Sequence, residues 1–163
     1  MDETTLRSLL ERLARGDSSV DETVRELRFL PYSDLGFARV DLHRELLLGL
    51  PESVYGPGKT PEQAAAIVAE LLDGATGPVI VTRATPEQHK AVAAVAPAAV
   101  FHETARMIVA REGAPREGVV AVACAGTADL PVAEEAAVAC EASGLTVRRL
   151  RDVGVAGLHR LLA

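Results

Sequence analysis

The sequence predicts an α/β protein: a small N-terminal α/β domain followed by the start of a parallel-sheet, three-layer domain. Three observations lead there. Thr60-Pro61-Glu62-Gln63 recurs as Thr85-Pro86-Glu87-Gln88, and each copy opens an Ala-rich stretch, with the apolar run Pro78-Val79-Ile80-Val81-Thr82 between them. That is the order helix, strand, helix. The continuous apolar run Val119-Val120-Ala121-Val122-Ala123-Cys124 is followed by a Gly-containing turn and a second Ala-rich stretch, as in a parallel strand covered on both faces. Finally, 48% of the 163 residues are hydrophobic and 25% charged, so the chain can bury a core. With 28 Ala, no Trp and only 3% aromatic residues, that core is built from Ala, Val and Leu.

From the N-terminus, Leu6, Leu9, Leu10 and Leu13 fall at helical spacing and Gly16 stands at the stop. Ser19 with Glu22 reads as a capping box ahead of Val20, Val24 and Leu27. Two amphipathic helices are therefore expected at 4–15 and 20–29, with Pro31 ending the second. Residues 37–42 alternate like a strand, 53–55 can form another, and Gly56-Pro57-Gly58-Lys59 is a loop. In each Thr-Pro-Glu-Gln copy Thr caps, Pro takes the first helical position and Gln lies three residues on, placing helices at 61–73 and 86–95. Residues 100–111 fit either two short strands or a strand plus a helical turn. Gly113-Ala114-Pro115-Arg116-Glu117-Gly118 has linker chemistry, so the domains are placed at 1–113 and 114–163. In the second, a helix is expected from 130 to 143, a strand from 146 to 153 and a further helix from 157 to 163. Two strands fall short of the usual sheet of about five or six, so this domain is expected to be cut short.

Composition excludes several classes. Two Cys in a chain this long do not make a disulfide framework. No stretch reaches the roughly 18 apolar residues a membrane span needs, and the acidic opening Met-Asp-Glu-Thr-Thr is unlike a secretory signal. A cytoplasmic protein with Cys124 and Cys140 reduced is the expectation. The net charge is −6 and no segment is basic, which argues against nucleic acid as a partner.

Gly126-Thr127-Ala128-Asp129 lies between a buried strand and a helix start, at the carboxyl end of a parallel strand, where oxyanions bind. The competing reading is an ordinary turn with Asp129 as a helix cap. Asp152, Gly154, Gly157, His159 and Arg160 follow the next strand at the same end of the sheet. They suit a phosphate or ribose, or equally a solvated turn, which spacing alone favours. In the first domain Arg39, Asp41, His43 and Arg44 accompany Lys59 and Arg83, with His102 and Arg106 beyond. Scattered Arg and His side chains are ordinarily surface residues, and no close ligand spacing makes His43 and His102 a metal pair. Cys124 and Cys140 read as small core residues.

Five segments together resemble the LarB family: Phe-Ala-Arg-Val-Asp at 37–41 with His43-Arg44, Tyr-Gly-Pro-Gly-Lys-Thr-Pro-Glu-Gln at 55–63, and Thr82-Arg83-Ala84, then Ala-Gly-Thr-Ala-Asp-Leu-Pro-Val-Ala-Glu-Glu-Ala at 125–136 and Asp-Val-Gly-Val-Ala-Gly-Leu-His-Arg-Leu-Leu at 152–162. The resemblance spans nearly the whole chain. It implies that the region from about residue 118 begins a flavodoxin-like domain similar to the PurE class of aminoimidazole ribonucleotide carboxylase. It implies carboxylation of the pyridinium ring of nicotinic acid adenine dinucleotide by carbon dioxide or bicarbonate. Cleavage of the phosphoanhydride then releases AMP and pyridinium-3,5-biscarboxylic acid mononucleotide, the first step toward the nickel-pincer nucleotide of lactate racemase.

By the same resemblance Gly126, Thr127 and Asp129 match the family's phosphate and ribose loop, and Asp152, His159 and Arg160 its second ligand loop. Arg39, Lys59 and Arg83, in the matched motifs of the first domain, join them as substrate-binding candidates. Ala128 stands where many relatives have Ser. The family's Cys thiolate, which adds to the ring so that the neutral adduct can attack carbon dioxide, belongs to a later segment than these 163 residues, so the chain is expected to be inactive alone. A homo-oligomer is expected. A divalent cation such as magnesium is left open, as is the alternative of a non-catalytic nucleotide-binding or oligomerisation module.

Overall fold

The computed structural model describes residues 3–27, 32–157 and 159. Helices α1 (Glu3–Arg15) and α2 (Val20–Leu27) form where leucine spacing and capping chemistry place them. The Ser19 amide donates to the Glu22 carboxylate at 2.8 Å and the Glu22 amide to the Ser19 hydroxyl at 3.2 Å, so both orphan donors are satisfied. The same Ser19 amide and hydroxyl hold the Glu22 carboxyl below its usual range. Leu9 is buried, and Arg12 pairs with Glu26 at 2.8 Å across the two helices. Pro31 and the end of the expected second helix lie outside the described residues.

Strands β1 (Tyr32–Asp34) and β2 (Arg39–Asp41) pair antiparallel, with Tyr32 opposite Asp41. The Asp41 carboxylate then accepts the amides of His43 and Arg44 at 3.0 and 2.9 Å and starts helix α3 (Arg44–Leu48). Neither β1 nor α3 follows from periodicity, because three and five residues are shorter than any window that resolves a period.

The main sheet holds β3 (Val54–Tyr55), β4 (Val79–Thr82), β5 (Val100–His102) and β6 (Met107–Arg111) in the order β3-β4-β6-β5. Strands β3 and β4 run parallel, joined through α4 (Pro61–Gly74), whereas β6 is antiparallel to both neighbours. Residues 100–111 are thus two strands joined by a turn. Alternation divides the strand residues between two layers. Val79, Val81 and Ile108 pack with Val68, Leu71 and Val92 from α4 and α5 (Pro86–Val95). Ile80, Met107 and Val109 point the other way, onto Val138 and Ala142 of α6 (Leu130–Ala142).

Helix α6 also joins the parallel strands β7 (Val119–Ala123) and β8 (Thr146–Leu150), in register from Val119 opposite Thr146 to Ala123 opposite Leu150. It therefore lies between two sheets. Arg149 of β8 makes a bidentate contact with Glu141 at 2.5 and 2.7 Å and a third bond to Glu134 at 2.9 Å. Those carboxylates raise the Arg149 guanidinium, and Arg149 in turn holds Glu141 below its usual range. The mixed α/β class stands. The expectation that 119–124 is covered on both faces does not: only alternate residues are partly covered, and Val119 is 62% exposed and Leu150 44%. Among the described residues α6 lies on one face of this pair and no element lies on the other. Of the helix expected at 157–163, only a short turn at Val155–Gly157 and His159 fall within the described residues.

The connection into β7 is pinned rather than loose. The Gly113 amide donates to Ala142 O at 2.7 Å and the Arg116 amide to Gly144 O at 2.8 Å. Gly144 has φ +87°, and a Cβ there would collide with the Ala114 carbonyl, so only glycine ends α6 this way.

Two buried polar groups hold the first sheet to its helices. The Glu45 carboxylate, on α3, accepts the Thr76 amide at 3.0 Å, the Thr76 hydroxyl at 2.8 Å and the Gly77 amide at 2.5 Å. The Arg111 guanidinium, on β6, donates to the carbonyls of Leu72, Ala75 and Gly77 at 3.1, 2.6 and 2.8 Å. The turn after α4 thus gives its N–H groups to an acid and its C=O groups to a base. Burial works to raise the Glu45 carboxyl, but the opposing interactions, the Thr76 amide and hydroxyl foremost among them, leave the group below its usual range.

The second buried group, beside Glu45, is Gln88, whereas Arg111 is only half-buried. As N3 of α5 it closes the capping box with Thr85, and its amide also donates to Gly56 O at 2.8 Å and Lys59 O at 2.9 Å. The loop before α4 is thereby fastened to the start of α5. A Cβ at Gly56 would stand 2.9 Å from both Gln88 Oε1 and Thr82 O.

Glu45→Gln is expected to lower stability in urea by about 2 kcal/mol at neutral pH, since bonds to a charged acceptor are lost and an amide donor faces other donors. A carboxyl held below its unfolded value stabilises above that value, 4.5, and the benefit disappears as pH falls through the folded value. The gap between wild type and Glu45→Gln should therefore close on acidification below 4.5; a gap that widens contradicts the assignment. Gly56→Ala should cost about 1–3 kcal/mol by overpacking against backbone and a buried amide, read as a lowered melting temperature.

Candidate functional site

The expected ligand loops meet at the carboxyl ends of β7 and β8. Pairing continues past both strands: the Cys124 amide donates to Leu150 O at 3.0 Å and the Val153 amide to Cys124 O at 3.1 Å. This holds the loop 126–129 beside the turn at Asp152. The first loop is a short 3-10 turn, Thr127–Asp129, leading directly into α6. Its Asp129 does not cap α6. The carboxylate turns back and accepts the Gly126 amide at 3.2 Å, leaving its other oxygen, Oδ1, without a partner among the described residues. Gly126 has extended backbone and open space where a side chain would sit. Thr127 and Asp129 are exposed. Across from them Asp152 adopts φ +58°, a conformation rare outside glycine. His159 is exposed, and Arg160 lies outside the described residues.

Cys124 ends β7 with 7% exposure and Cys140 is half-buried in α6. No helix of the described residues is long and apolar enough to cross a membrane. Among the described residues there is no group of three or more His, Cys, Asp or Glu side chains that could hold a metal ion.

The cations of the first domain do not form one cluster. Arg39 packs on the Tyr32 ring at 5.3 Å and pairs with Asp34 at 3.4 Å, within its own hairpin. Asp41, His43 and Arg44 are engaged in starting α3. Lys59 and Arg83 do come together, around Tyr55 at the end of β3. The Lys59 ammonium donates to Tyr55 O at 2.8 Å, and the Arg83 guanidinium lies 5.7 Å from the centre of the Tyr55 ring. Arg83 also approaches Glu135 of α6 at 3.7 Å. It therefore links the loop before α4 to the helix that begins at the 126–129 loop.

Sequence reasoning missed Gln88 and Glu135 in this arrangement. Gln88 had a signal, since a capping-box glutamine whose helix follows a buried strand has a free amide end to spend on a neighbouring loop. Glu135 had none, because its role exists only once α6 is laid against the first sheet.

Residues 32–112 match the family model of the LarB/PurE-like N-terminal domain. The match begins at β1 and runs just past β6, covering the hairpin and the four-stranded sheet with its helices. An uncharacterized protein of Methanocaldococcus jannaschii is 29% identical to this chain over 164 residues, covering 96% of the chain. The chain spans 64% of that relative's length. Residues 32–112 of the chain thus form a LarB/PurE-like N-terminal domain.

Proposed function

We propose that this chain is part of a LarB-type carboxylase that acts on nicotinic acid adenine dinucleotide. The paired loops at the ends of β7 and β8 would hold the phosphate and ribose of the AMP half. The observation that carries the reading is the continued pairing through Cys124, which brings the 126–129 loop and the Asp152 turn to one end of a parallel pair beneath an N-terminal domain of matching family. That end is where open α/β sheets take their ligands. Gly126 leaves room for a phosphate oxygen near the backbone, and the free Asp129 oxygen is a ready acceptor for a ribose hydroxyl. His159 and Arg160 complete the second loop on this reading.

The carboxylation chemistry needs a nucleophile that makes the cationic pyridinium ring electron-rich. Cys124 is buried at the end of β7 and Cys140 is half-buried within α6, so neither presents a fully exposed thiol. The chain by itself is therefore read as a binding portion, and turnover as a property of the complete catalytic apparatus. A non-catalytic nucleotide-binding module remains the second reading, because the geometry above serves binding without requiring chemistry.

Calorimetric titration with AMP and with nicotinic acid adenine dinucleotide tests the proposal. Saturable binding is expected, weakened about tenfold in Asp129→Ala through loss of a charge-assisted hydrogen bond. Binding indifferent to Asp129, or none by the folded chain, would count against the site as drawn. Release of AMP by the chain alone would overturn the division between binding and turnover.

A further inference from the structure

A second cleft lies at the edge of the first sheet, on residues other than the 126–129 and 152 loops. It has a volume of about 390 Å³ and is lined by Arg83, Ala84, Phe101, Glu103 and Arg106, with the start of α5 beside them. That is within the roughly 300–1,000 Å³ of small-molecule sites. Phe101 forms an apolar wall and is already stacked on His89, with ring centres 5.4 Å apart and planes at 18°.

The backbone here is unusual. Three non-glycine residues among the described ones have positive φ, and two of them, Arg83 at +49° and Arg106 at +48°, line this one cleft. They are also tied to each other, because the Ala84 amide donates to the Arg106 carbonyl at 2.6 Å. Part of this has a plain structural cause. Residues 103–106 form the four-residue connection between β5 and β6, closed by the Arg106 amide on Glu103 O at 3.1 Å, and a left-handed residue commonly ends such a turn. The turn explains the conformation but not the residue. Glycine or asparagine adopts that backbone more readily than arginine. Nor does the arginine side chain return anything to the fold: among the described residues the Arg106 guanidinium has no hydrogen-bond or ion-pair partner, and the residue is exposed. Arg83 lies against Tyr55, 3.5 Å from its hydroxyl and 5.7 Å from its ring centre, and 3.7 Å from Glu135, and its side chain stays half exposed.

We propose that this cleft binds an oxyanion carried on a planar ring, an aromatic carboxylate or an aryl phosphate ester. Arg106 is the anion clamp, Arg83 the supporting charge and Phe101 the surface on which the ring lies. A planar guanidinium offers paired donors that match either oxyanion, and ring stacking on Phe101 supplies the apolar part. Strain held at a binding residue is a recognised use of such backbone. Glu103 at the rim disfavours a second negative charge on the ring and selects for ligands whose ring carries none. The cleft shares Arg83 with the substrate-binding candidates of the family resemblance, whereas Arg106 and Phe101 belong to this cleft alone, and Arg106 is therefore the residue tested.

An amide-resolved NMR titration of the chain with benzoate and, separately, with phenyl phosphate tests this. Saturable shifts are expected at Ala84, Phe101 and Arg106, and the tighter of the two probes identifies the oxyanion. Arg106→Gly should keep or raise the melting temperature, by relieving the left-handed residue, while weakening the shifts at least about tenfold. Arg106→Asn, which also tolerates that backbone, gives a second folded variant with the same expectation. The proposal is overturned if neither probe shifts these amides, if both variants bind as wild type does, or if the shifts fall only at Gly126–Asp129, which would assign the oxyanion to the other loops.

Discussion

One helix face, on α6, serves both the first sheet and the β7–β8 pair. Val138 and Ala142 of α6 close the face of the first sheet formed by Ile80, Met107 and Val109. The adjoining edge of the same face of α6 carries Glu134 and Glu141, the carboxylates that engage β8. A sheet with one bare apolar face and an isolated two-stranded pair would each be marginal in water. Laying α6 between them resolves both at once, and its Ala-rich sequence is what lets two sheets approach a single helix closely. The pinned connection at residues 113–116 and the obligatory glycine at 144 follow from that arrangement, since the chain must leave the first sheet and reach β7 along the end of the same helix.

Much of this was legible from residue order. Both Thr-Pro-Glu-Gln repeats are capping boxes in the structure, and α4, α5, β4, β7 and α6 lie within a residue or two of where caps and apolar runs place them. These are elements whose ends are written locally. What was not legible depends on contacts between distant segments. Strand β1 exists because β2 pairs with it, and α3 is held by Glu45 reaching a turn more than thirty residues away. The coverage of β7 was misjudged for a related reason: an apolar run reports what a strand could bury, whereas the number of layers actually laid on it is a property of the rest of the fold. In the candidate site, the meeting of the 126–129 and 152 loops followed from β-α-β order alone. The dispersal of Arg39 from Lys59 and Arg83 did not, because proximity in sequence to a motif says nothing about which tyrosine an arginine will lie on.

The two parallel pairs share one feature, a loop leading into a helix at their carboxyl ends. At β3 and β4 the end is occupied by the chain's own groups: Gln88 takes the loop carbonyls and Tyr55 is flanked by Lys59 and Arg83. At β7 and β8 the corresponding space is open, with Gly126 facing nothing and an unpaired oxygen on Asp129. A family assignment that rests on the first sheet and a binding loop that rests on the second are joined physically by Arg83 and Glu135. Arg83, within the matched domain, thus contacts the helix that begins at the proposed substrate loop.

The two contacts of α6 differ in kind as well as in partner. Toward the first sheet the contact is aliphatic, and such contact strengthens with sulfate-type salts and weakens on cooling. Toward β8 it is ionic, with Arg151 on Glu134 at 2.7 Å lying 59% exposed on the arginine side and Arg149 better sheltered at 27%. Exposed ion pairs are screened as ionic strength rises. Solvent composition therefore acts on the two seams of one helix in opposite directions, so that the grip of α6 on each sheet can be varied separately without altering a residue.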